Sequence, residues 1–182
     1  MPPLPISRSS TTVEPPPPML TRVSKVSLVA SSALFLLLVV FNNLTDYGSN
    51  LDFVRHVLAM DTTFPGNRGM WRAITSPAIH HAFYASIILW ELAAGGLLAV
   101  AAARMWRARA GSADAWRQAK SLAVAGLTVS LLQWFVAFLI VGGEWFLMWQ
   151  SSSWNGQSAA CRMFTVFGLI LLFVNQREEE AA

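Results

Sequence analysis

Charge is what this chain has least of. Asp, Glu, Lys and Arg make up 13% of its 182 residues, against about 25% in a soluble domain. Cysteine is nearly missing too: Cys161 stands alone, which excludes an internal disulfide and any cysteine-based zinc cluster. Tyrosine is scarce, but the other aromatics are not. Eight Trp and eleven Phe beside two Tyr are a load that membrane interfaces favour. No catalytic or cofactor motif of high specificity occurs; in particular there is no HExxH or comparable ligand spacing. What is present is apolar: 54% hydrophobic residues and a mean hydropathy of +0.46. The composition describes one integral membrane domain.

The pattern predicts an all-α, polytopic fold: four transmembrane helices in a bundle, with a short extracytoplasmic amphipathic helix between the first and second. Residues 1–21 read as a disordered, Pro-rich cytoplasmic tail, its prolines 15–18 favouring polyproline II. Met19 opens a second, more ordinary membrane-protein start. The four-span domain covers 22–176, with spans at about 26–45, 77–103, 121–141 and 159–174, and 177–182 forms a short tail. Arg22 and Lys25 precede the first span, but FNNLTDYGS supplies no small-x-small cleavage site, so this span is read as uncleaved. In the following segment, Phe53, Val57 and Met60 share a helical face flanked by Leu51, Val54 and Leu58. Asn50 is the expected N-cap there, with Asp52 at the positive end of the dipole. Ser76-Pro77 supplies the N-cap and first position of the second span.

Nine of the thirteen Lys and Arg fall on the N-terminal tail, the 104–120 loop and the C-terminus. The positive-inside rule then places both termini in the cytoplasm, with the amphipathic segment and the loop bearing Trp145, Trp149 and Trp154 outside. The basic loop is a topology signal in contact with anionic lipid rather than a nucleic-acid patch.

The second span carries the unusual polar groups. At 100° per residue, His80, Tyr84 and Glu91 fall within about 40° of one another, and the i+4 row below them reads Gly95, Ala99, Ala103. Gly126, Ser130, Gln133 and Ala137 make a similar face on the third span. Glu91 and Gln133 both lie about 18 Å from the cytoplasmic ends of their spans, so a hydrogen bond between them is expected. An ionisable residue at membrane depth marks a candidate site. Here Glu91 reads first as a buried carboxyl joining helices, and second as part of a proton, ion or small-ligand site with Tyr84 and His80. Outside, His81, Arg55, His56, Asp61 and Arg72 form a second candidate set within a charge-balanced group that includes Arg68, Asp46 and Asp52. His80 and Glu91 are about 16 Å apart along the axis, too far to share an ion, and no histidine on another span could partner His80 in haem ligation. No metal and no cofactor are expected. Cys161 reads as a buried small residue.

The stretches FVRHVLAMDTTFP, WRAI and HHAFYASIILWELAAG resemble a bacterial family of predicted small integral membrane proteins, a four-span domain of unknown function, over roughly residues 25–176. The resemblance implies bacterial origin and an inner-membrane location, and supplies no activity. The expected function is that of a non-enzymatic accessory, assembly or interaction protein. Its expected partners are the lipid bilayer and another membrane protein or further copies of itself, not nucleic acid. The alternatives are a small proton- or solute-coupled carrier using Glu91 and, more weakly, a haem- or quinone-binding redox subunit.

Overall fold

A computed structural model of the chain describes residues 19–176; the expected tails lie outside the described residues at 1–18 and 177–182, while residues 19–21 of the expected N-terminal tail are helical, forming the start of the first helix. Five α-helices make up most of it: α1 (Met19–Thr45), α2 (Tyr47–Ala59), α3 (Pro77–Ala108), α4 (Ala113–Leu132) and α5 (Gln157–Asn175). From Gln133 to Trp145 the third span continues as a π-helix. Four of these helical units, α1, α3, α4 with its π-segment, and α5, are long and apolar enough to cross a bilayer. Among the described residues there is no strand.

Neighbours in the bundle follow chain order. α1 packs on α3, α3 on α4 and α4 on α5, which returns to touch α1. The buried stripe of α1 runs Val29, Ala33, Leu36, Val40, Asn43, the alternation of three- and four-residue steps that keeps one helical face inward. On α3 the same alternation buries Tyr84, Ile88, Glu91, Ala94 and Gly95, Leu98, then Ala101 and Ala102. The i+4 row expected from the sequence is therefore corrected: Gly95 is buried, but Ala99 and Ala103 face outward. Four residues advance a helix by about 400°, so a strict i+4 row drifts about 40° per step and leaves the interface.

Gly95 and Gly126 set how closely the helices approach. A Cβ on Gly95 would stand 3.2 Å from Leu36 Cβ on α1, and one on Gly126 would stand 2.7 Å from Leu98 Cδ2 on α3. Such small residues replace hydrophobic collapse as the means of joining helices in lipid. The outer surface is apolar; Leu34, Leu38, Leu89, Leu169 and Leu172 are all exposed. Cys161 is exposed as well, not buried as its small size implied, because in lipid the exterior accepts apolar groups as readily as the core does.

One end of the bundle is tied by cations. Arg22 Nη1 donates to the carbonyls of Arg109 and Gly111 at 2.9 and 2.8 Å, and Lys25 and Lys120 each donate to the Gln176 carbonyl at 3.1 Å. These acceptors lie just past the ends of α3 and α5, where positive charge complements the helix dipole. The other end is roofed by α2, which follows α1 after the single residue Asp46. The expected N-cap is corrected here: the helix starts at Tyr47, and Asn50 sits within its first turns. Asn50 instead donates its side-chain amide to Asn43 Oδ1 at 2.9 Å. The Ile74 N–H donates to the Leu58 carbonyl at 2.8 Å, and Thr62 Oγ1 to Ser151 Oγ at 2.8 Å, tying the roof to the segment entering α3 and to the Trp-rich loop.

Candidate functional site

The polar centre of the molecule forms where α1, α2 and α3 meet. Asn43, in the last turn of α1, donates from Nδ2 to Glu91 Oε2 at 2.7 Å. Its backbone carbonyl accepts the Tyr84 hydroxyl at 3.1 Å, and its Oδ1 accepts Asn50. Asn43 thus joins three helices, and it is 7% exposed, with Tyr84 and Glu91 at 2% each. Buried polar groups persist in apolar surroundings when bonded in this way. The carboxyl lies level with the end of α1, under the roof.

The expected Glu91–Gln133 bond is corrected by this arrangement. Gln133 is fully buried and within range of the Glu91 carboxyl, yet neither of its amide atoms has a hydrogen-bond partner of acceptable geometry. Asn43 takes the place because α1 is the helix against which α3 packs most extensively. Asn43 was missed in the sequence, where it looks like the start of a polar loop. The signal was available: it extends the stripe Leu36, Val40 by one further step.

His80 shares the buried face with Tyr84 and Glu91, but it serves the loop instead. Its Nε2–H donates to the Ile74 carbonyl at 2.8 Å. His81 faces outward, its ring stacked on Tyr47 with centroids 5.7 Å apart and its Nδ1 2.9 Å from the Tyr47 hydroxyl. The outer candidates do not converge. Arg55 pairs with Asp52 at 3.3 Å and donates to His56 Nε2 at 3.2 Å, while His56 Nδ1 lies 2.9 Å from both Asp61 oxygens. The His56 ring also stacks on Trp154, centroids 4.5 Å apart. Arg72 stands elsewhere, over the rings of Trp71 and Trp145 at 5.8 and 5.6 Å, with Nη1 3.5 Å from the Glu144 carbonyl. These are local ion pairs and cation–π contacts of modest strength. Among the described residues, no group of three or more His, Cys, Asp or Glu could hold a metal ion.

Beside the polar centre is a cavity of about 430 Å³, within the range of small-molecule sites, about 300–1,000 Å³. α3 supplies one wall with Phe83, Tyr84, Ile87, Trp90 and Glu91, and the π-segment faces it with Trp134, Ala137, Phe138 and Val141. The roof is Asn50, Phe53, Val54 and Val57 of α2. A π-helix closes its hydrogen bonds between residues five apart, widening the turn, and such segments recur at functional sites. Two tryptophans line the cavity, and their indole N–H groups differ in partner. That of Trp90 donates to the Val129 carbonyl at 3.1 Å. That of Trp134 is buried with no acceptor.

Four lipid-length apolar helices around a carboxyl-bearing cavity define a small polytopic integral membrane protein. A family model described as "Predicted small integral membrane protein (DUF2165)" matches residues 21–177, and the chain belongs to that family. No curated protein and no solved structure matches it.

Proposed function

We propose that this is a non-enzymatic binding protein of the bacterial inner membrane, whose recognition site is the α2-roofed cavity. The observation that carries this reading is the cavity itself: apolar walls, a few convergent polar groups at one corner, and side chains such as Phe83 and Ser86 that line it while remaining exposed on the flank of α3. That flank gives an occupant lateral access from the bilayer. The photo-crosslinker p-benzoyl-L-phenylalanine in place of Phe83 should capture one discrete adduct. The same group at Leu89, an outward residue of α3, should capture bulk phospholipid. Identical phospholipid mixtures at both positions would rule out a selective site.

The distribution of Lys and Arg supports cytoplasmic termini. In a Cys161→Ser background, Ser153→Cys should react with a membrane-impermeant maleimide applied to spheroplasts, and Ala115→Cys only after lysis. The reverse pattern would invert the topology.

A second reading, a proton- or solute-coupled carrier, is favoured by the burial of Glu91 against a cavity. It requires Glu91→Gln to abolish proton-coupled flux in proteoliposomes; a Glu91→Gln protein with the flux of the wild type would eliminate it.

A further inference from the structure

We propose that the cavity takes a neutral, lipid-soluble molecule with a flat ring head bearing carbonyl acceptors, the quinone class, and that the Trp134 indole N–H donates to one of those carbonyls. This deepens the binding reading above and rests on it. The first support is the unmet donor. Trp134 is 8% exposed, lines the cavity and has an Nε1–H without an acceptor. A buried N–H left unpaired is costly, and an occupant's oxygen would satisfy it.

The walls decide the shape of the head. Phe53, Phe83, Trp90, Trp134, Phe138 and Phe146 all line the space. Trp134 and Phe138 stack with centroids 5.0 Å apart and planes 29° apart, and Phe53 stacks on Phe138 at 6.4 Å. Flat faces offered in this number suit a planar ring, which gains offset-stacking energy that an alkyl chain does not. The charge of the head follows from the lining: among the described residues no Lys, Arg or His lines the cavity, so an anionic headgroup would lose its hydration without a counter-charge. The Asn43–Glu91 pair also lines the cavity and offers a second polar contact. The chain attached to such a ring would leave through the flank at Phe83 and Ser86 into lipid. Only binding is assigned, with no electron step.

The test uses full-length protein in phosphatidylcholine nanodiscs, with decylubiquinone as probe and monoolein, a neutral ester without a ring, as comparison. Decylubiquinone should raise the Tm saturably, as a ligand of the folded state must. Trp134→Phe, which keeps the ring and loses the donor, should weaken the half-saturation point about tenfold, the equivalent of one hydrogen bond. Ala137→Trp, which fills the cavity, should abolish the response while retaining the Tm of the ligand-free wild type. Equal half-saturation for wild type and Trp134→Phe would overturn the donor assignment. A response to monoolein and none to decylubiquinone would overturn the ring head while leaving the binding site intact. Silence to both probes, together with only bulk phospholipid captured at position 83, would remove the site itself.

Discussion

Gly126→Leu should lower the Tm of the detergent-solubilised protein by about 6–12 °C. The argument is steric. The first added atom, Cβ, would already stand 2.7 Å from Leu98 Cδ2 and 3.0 Å from Leu98 Cγ. A terminal methyl can often swing aside, but Leu98 is fully buried in the lower core, together with Ala94, Ala101 and Leu127. Close-packed interiors leave no space to receive it, so α3 and α4 must separate. Overpacking costs about 3 kcal/mol, and in a chain of this size each kcal/mol corresponds to about 2–4 °C. Gly96→Ala is the matched comparison, because its Cβ would meet nothing within 4 Å. It should leave the Tm unchanged or raise it slightly, since Gly costs a helix up to about 1 kcal/mol relative to Ala. A Gly126→Leu protein that melts with the wild type would show that the α3–α4 spacing is looser than 2.7 Å implies.

The second large effect concerns the polar centre. Asn43→Leu should cost about 2–3 kcal/mol, whereas Glu91→Gln should cost less than about 1 kcal/mol. A hydrogen bond between helices in lipid is worth only about 0.6–2 kcal/mol, so the lost bond alone does not reach the larger figure. The remainder comes from stranding the Glu91 carboxyl, 2% exposed, without the amide that now holds it at 2.7 Å. Glutamine at position 91 keeps an oxygen where Asn43 Nδ2 donates and so preserves the contact. The double variant Asn43→Leu, Glu91→Leu removes both partners and should be more stable than the sum of its single changes predicts. Denaturation of the wild type, Asn43→Leu, Glu91→Leu, Glu91→Gln and the double variant in one detergent gives the comparison. If Asn43→Leu costs no more than Glu91→Gln, Asn43 is not the residue that holds the carboxyl.

Much of this architecture was legible in the sequence. Four apolar runs, two of them uncharged, and the amphipathic period of residues 51–60 correspond to the four long helices and the roof. Helix ends were less legible. α1 continues outward past Lys25 and Arg22 because those cations are themselves bonded to carbonyls across the bundle, which composition does not reveal. The choice between hydrogen bonds four and five residues apart in 133–145 is likewise absent from any apolar period: the sequence predicts a span ending at Val141, whereas the helix continues to Trp145. At the site, the buried face holding His80, Tyr84 and Glu91 was legible from angular spacing alone. Their partners were not. Those depend on which helix lies alongside: α1 brings Asn43 within bonding distance, while Gln133 on the third span stays unbonded.

The position of Asn43 also bears on how the protein reaches the membrane. Chains are made from the N-terminus, and earlier segments settle first. Asn43 precedes Glu91 by 48 residues, so α1 is in the bilayer with its amide at hand before the acidic helix leaves the insertion machinery. An acidic residue at the centre of a lone span costs about 2.5–3.5 kcal/mol to insert. α3 therefore need not carry that penalty alone, because the helix made first already holds the amide that receives its carboxyl.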